Sequence, residues 1–129
     1  MTTPKYGEVC WTELATSDVH SAKKFYAELL GWQFTDYDMG DSTYTMIKAK
    51  NDEFGGMWHI PKDQQEQCPP HWMSYILVED IDATLKQAQK LGATIVKPVT
   101  QAGDMGLFII IQDPAGAHIA FWQVLNSAG

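Results

Sequence analysis

The chain has 129 residues, 45% apolar and 19% charged, with a formal net charge of −7. That length can bury a substantial apolar interior, and an acidic chain with no Lys/Arg cluster lacks the basic stripe that nucleic-acid binding requires. No apolar run approaches the ~20 residues needed to cross a bilayer, and the opening MTTPKYGEVCW has no apolar signal-peptide core, so a cytoplasmic protein without nucleic-acid or membrane partners is expected.

Residues 8–16, EVCWTELAT, read as a strand with Trp11, Glu13 and Ala15 on one face and Cys10, Thr12 and Leu14 on the other. In SDVHSAKKFYAELLGW, Ser17 or Asp18 can cap a helix, because a short oxygen-bearing side chain satisfies the free amides of the first turn. Val19, Ala22, Phe25, Tyr26 and Leu29 form its apolar stripe, and Gly31 can end it in a left-handed conformation. Strands are expected at 32–37, 43–49 and 56–60, separated by the turn-like DMGDS and KNDEF. Residues 61–71, PKDQQEQCPPH, are polar and hold three prolines, as an exposed connector does. After them come a strand in WMSYILVED, a helix in DIDATLKQAQKLGA near Asp80 or Asp82, and strands at 94–99, 107–112 and 117–124, the last entered through the turn DPAG. Cys10 and Cys68 are too few for a disulfide framework and are expected to be free thiols.

The element order repeats. Asp18 to Gly31 spans 13 residues and Asp80 to Gly92 spans 12, so SDVHSAKKFYAELLGW answers EDIDATLKQAQKLGAT. The expected fold is α+β: two paired β-α-β-β-β modules, about 7–60 and 72–125, in one domain, forming a curved half-barrel sheet with the helices outside. A homodimer is expected too, since exposed strand edges need covering.

ELATSDVHSAKKFYAELLGW, ILVEDIDATLKQAQKLGA and the closing DPAGAHIAFWQ, in that order, resemble the vicinal oxygen chelate superfamily of glyoxalase I, bleomycin-resistance proteins and extradiol dioxygenases. PPHWMSYILVEDIDAT and CWTELATSDV are further similar to a glyoxalase-like subgroup. The resemblance covers nearly the whole chain. It implies metal ligands at set positions on inward strand faces, which fall here on Trp11, on Met73, on Ala120 and near Gly55–Met57. None of these is a His, Asp or Glu, whereas a hard or borderline cation needs several nitrogen or oxygen donors at ~2.0–2.6 Å. No metal and no other cofactor is therefore expected.

The inward faces carry other candidates. Glu13 shares the face of Trp11; a carboxylate in an apolar cavity can move protons or anchor a cationic group, unless it serves only to bond nearby backbone or Tyr75 or lies at the exposed rim. His118 shares the face of Ala120 and is either a base or an exposed residue just after a turn. Trp11, Trp58, Met73, Tyr75, Ala120 and Trp122 are the expected ligand-binding set, whose aromatic members can stack on a flat ring or hold a cation. His59, Cys68 and His71 match no zinc spacing well. The function expected is metal-independent binding of a small organic molecule, in the manner the resemblance to bleomycin-resistance proteins implies. The alternatives are a metal-independent lyase, isomerase or hydroxylase-like enzyme using Glu13 and His118 as acid and base, and a metal-dependent glyoxalase-type enzyme whose ligands lie one register step away.

Overall fold

A computed structural model describes residues 3–40 and 42–125. The fold is α+β, and the chain divides into two compact units, one of residues 11–73 and the other of the remaining residues.

The first β-α-β-β-β module runs through β1 (Val9–Thr16), α1 (Val19–Leu30), β2 (Gln33–Asp38), β3 (Thr43–Lys48) and β4 (Glu53–His59). Its strands lie in the order β2-β3-β4-β1. The first two pairings are antiparallel, and β1 joins β4 in parallel with Glu13 opposite Gly56. The α1 helix starts where the Asp18 carboxylate accepts the Ser21 N–H at 2.9 Å and stops at Gly31, whose φ of 74° is the left-handed geometry a glycine adopts at least cost. Leu14, Ile47 and Met57 are buried beneath it, with Val19, Ala22 and Tyr26 of the helix packed on them. Phe25 and Leu29, expected in the same stripe, are instead 56% and 61% exposed. At 100° per residue they lie beyond the edge of the narrow face set by Val19, Ala22 and Tyr26.

The second module runs through β5 (His71–Leu77), α2 (Ile81–Lys90), β6 (Thr94–Ala102), β7 (Gly106–Gln112) and β8 (His118–Val124). Its strand order is β6-β7-β8-β5, with β8 parallel to β5 and Tyr75 opposite Ala120. The topology of the first module is thus repeated. Asp80 caps α2 by accepting the Ala83 N–H at 3.1 Å, and the next free amide, Ile81 N–H, is donated to the Gln123 side chain at 2.8 Å. Ile81, Ile109 and Ile111 form the core, with Leu85, Ile119 and Phe121 packed around them. Gly7 N–H and Leu77 N–H donate to Leu77 O and Glu8 O at 2.8 and 2.9 Å, which ties Gly7 and Glu8 to this unit.

Element ends differ from the sequence expectation in three places. β4 begins at Glu53 rather than Gly56, because Glu53 and Gly55 pair with Lys48 and Ile47 of β3. β6 continues past Val99 to Ala102, passing Pro98 through a register shift, the place in a strand where a residue without an N–H is tolerated. Within 61–71 a 3-10 turn at Lys62–Gln64 replaces featureless loop, and Gln65 Nε2 donates to Ile60 O at 2.9 Å. The DPAG turn forms as expected. Asp113 Oδ1 accepts the N–H groups of Ala115 and Ala117 at 2.9 and 3.0 Å. Those bonds, with Ala117 contributing most, hold its carboxyl below the ordinary 3.8. Cys10 and Cys68 are free thiols, and burial raises the pKa of Cys10, favouring the protonated thiol.

One ion pair bridges α1 to β2. Lys23 Nζ donates to Asp36 Oδ2 at 2.8 Å, and Thr45 Oγ1 donates to Asp36 Oδ1 at 2.6 Å. The Lys23 ammonium first, and the Thr45 hydroxyl second, hold the Asp36 carboxyl below 3.8. A carboxyl lowered on folding contributes its stability above the unfolded value and loses it as pH falls through the folded one. The side chains are 28% and 50% exposed, so solvent screening limits the pair to about 1 kcal/mol or less. Asp36→Asn is accordingly expected to lower Tm slightly at neutral pH, and a series of melts should show the gap to wild type closing as pH falls from the unfolded 3.8 through the lowered folded value. A gap of constant size down that series would assign the effect to something other than the carboxylate.

Candidate functional site

In each module one sheet face packs on its helix and the other faces away, so strand alternation decides which side chains could meet a ligand. On β1 of the first module, Leu14 faces α1, which leaves Trp11 and Glu13 on the opposite face. On β4, Met57 faces α1, which leaves Gly56 and Trp58 opposite. On β3, Ile47 is in the core and Tyr44 and Met46 face away.

Three side chains on this helix-averted face form a directed chain of hydrogen bonds. Trp11 Nε1–H donates to the Tyr44 hydroxyl at 3.0 Å, and that hydroxyl donates to Glu13 Oε2 at 2.7 Å. The second distance is that of a charge-assisted bond to a carboxylate. All three residues are half-buried, so the bonds are partly shielded from competing water. Gly56 makes room for the arrangement: a Cβ built there would overlap the Tyr44 phenol. Trp58 stands two residues further along the same strand face, and with Tyr44 it lines an open cleft of about 870 Å³ that reaches Asp18, His20 and Lys23 at the start of α1.

The second module has an aromatic face. Tyr75 packs edge-on against Phe108 and Trp122, with ring centroids 6.2 and 6.5 Å apart, while Phe121 lies behind, in the α2 core. Ala120, opposite Tyr75, is fully buried. His118, the first residue of β8, pairs with Gln112 and is exposed. Met73 is buried in the first unit, where its carbonyl accepts the Thr12 hydroxyl at 3.5 Å. Glu13 and His118 belong to different units.

The residues that the family resemblance would set at metal positions carry no imidazole or carboxylate. Trp11, Met73 and Ala120 offer indole, thioether and methyl, and the fourth region, Gly55–Met57, offers no carboxylate or imidazole. Among the described residues no group of three His, Cys, Asp or Glu could hold a metal ion. His71 turns Nδ1 to Pro69 O at 2.8 Å, and His59 is exposed at the end of β4. Among the described residues no helix is long and apolar enough to cross a membrane.

Residues 9–121 match the family model described as Glyoxalase/Bleomycin resistance protein/Dioxygenase superfamily. The chain belongs to that superfamily. Among curated proteins, "Putative glyoxylase CFP32" of Mycobacterium tuberculosis is 32% identical over 127 residues, covering 97% of this chain and 49% of its own length. "Anthracycline biosynthesis protein DnrV" of Streptomyces peucetius is 27% identical over 129 residues, covering 91% of this chain and 47% of that protein. The chain thus spans about half the length of the curated relatives it matches. The methylmalonyl-CoA epimerase of Mycobacterium tuberculosis superposes with a TM-score of 0.69 over 99% of this chain and 95% of its own, at 13% identity, a likeness of fold.

Sequence reasoning missed Tyr44. It lies in a strand whose alternation says only that Tyr44 and Met46 share a face. The available signal was the Gly55–Gly56 pair: glycine inside a strand marks a close approach, and the large side chain that fills the gap belongs to the neighbouring strand.

Proposed function

We propose that this superfamily member binds a small, positively charged organic molecule on the helix-averted face of its first module, without a metal ion at the family positions. The observation that carries this reading is the Trp11–Tyr44–Glu13 chain. The hydroxyl donated to Glu13 fixes an acceptor on this face, and the surrounding indoles supply flat apolar surface and π faces for a cation. The family resemblance to bleomycin-resistance proteins supports the class of ligand. A relative named for anthracycline biosynthesis is in keeping with a small organic molecule.

The test is calorimetric titration of the protein with benzamidine, a flat aromatic cation, beside its neutral and anionic isosteres benzamide and benzoate. Benzamidine is expected to bind and benzoate to give no heat; equal binding of all three would remove the charge argument. Elemental analysis of protein purified without an affinity tag is expected to return far less than one metal ion per chain. A stoichiometric, chelator-resistant ion would overturn the metal-free part of the proposal.

A further inference from the structure

We infer that Tyr44 is the positioning residue of this face, locking the Glu13 carboxylate in place, and that Gly56 is the seat that lets it do so. The inference deepens the binding reading above, but its test needs no ligand, so the two fail separately.

The argument starts from proton counting. An indole has one N–H to give and a phenol one O–H. Trp11 gives its proton to Tyr44, and Tyr44 gives its own to Glu13, so both run in one direction and end on the carboxylate. Accepting a bond from Trp11 polarises the Tyr44 hydroxyl and strengthens what it donates. Neither residue has a second proton to offer an acceptor. Neither of these two donors is left for a carboxylate or carbonyl, which fits ligands that themselves donate hydrogen bonds, such as ammonium or amidinium groups.

The second part is steric. Tyr44 comes from β3 and Glu13 from β1, and between them runs β4, with Gly56 paired to Glu13 on one side and to Met46 on the other. For the phenol of Tyr44 to cross β4 and reach Glu13, the intervening residue can have no side chain. A Cβ at Gly56 would fall among the Tyr44 OH, Cζ and Cε2 atoms. Gly56 needs no positive φ, so its conformation does not explain the glycine, and the space taken by the phenol does.

The experiment is a comparison of tryptophan indole N–H resonances in ¹⁵N-labelled, ligand-free protein, with the Trp11 peak identified by Trp11→Phe. Glu13→Gln removes the charge at the far end of the chain and is expected to move the Trp11 peak. In a Tyr44→Phe background, where the relay has no oxygen, the same substitution is expected to leave that peak in place. A merely structural Tyr44 would not create this pairwise dependence, and a Trp11 shift of equal size with and without the Tyr44 hydroxyl overturns the inference. Gly56→Ala is expected to bring the Trp11 peak to its Tyr44→Phe position; a Trp11 peak at its wild-type position in that variant removes Gly56 from the device.

Discussion

Glu13→Gln is expected to weaken benzamidine binding by about 10- to 100-fold, since a hydrogen bond to a charged group contributes about 1.5–3 kcal/mol and each 1.4 kcal/mol is tenfold in affinity. The substitution keeps the shape of the side chain and leaves an amide oxygen to accept from Tyr44, so the bond at 2.7 Å retains a partner. Tm should consequently move little, by the equivalent of less than about 1 kcal/mol. The combination is the informative part: affinity falls while the melt holds. Affinity unchanged within a factor of two would show that the carboxylate does not anchor the cation.

One strand over, Met57→Ala should do the opposite. Met57 is fully buried under α1 with Leu14 and Ile47, one residue from Gly56 but on the other side of the sheet. Truncating a buried Met to Ala removes transfer free energy and leaves a cavity, costing about 2–5 kcal/mol. In a chain this size that lowers Tm by roughly 6–25 °C. Residual folded protein at low temperature should still bind benzamidine with near-wild-type affinity, because the helix-averted face is untouched. A Met57→Ala protein that melts normally would contradict the burial, and one that is stable but fails to bind would mean the two faces are not separable as alternation implies.

These two variants share a logic legible in the sequence. Alternation put Glu13 and Trp11 together and Leu14 behind them, and helical spacing with the Asp18 and Asp80 caps marked both helices within a residue or two. The doubled element order revealed two modules before any coordinate did, because burial on one face and capping at the ends are local rules that the chain must obey wherever it folds.

Three things could not be read that way. Phe25 and Leu29 look as buried as Val19 in a spacing diagram, and only the seating of α1 on the sheet exposes them. The start of β4 at Glu53 follows from its pairing with Lys48, a contact with β3 that has no signature in KNDEF itself. Above all, Tyr44, whose hydroxyl donates to Glu13, lies 31 residues away and two strands across. Sequence period states which face a side chain takes, while strand order and register state which side chains on that face meet. That is why the composition of this face was determined by the sequence, and its hydrogen-bonded chain from Trp11 through Tyr44 to Glu13 was decided only when β4 brought Gly56 between them.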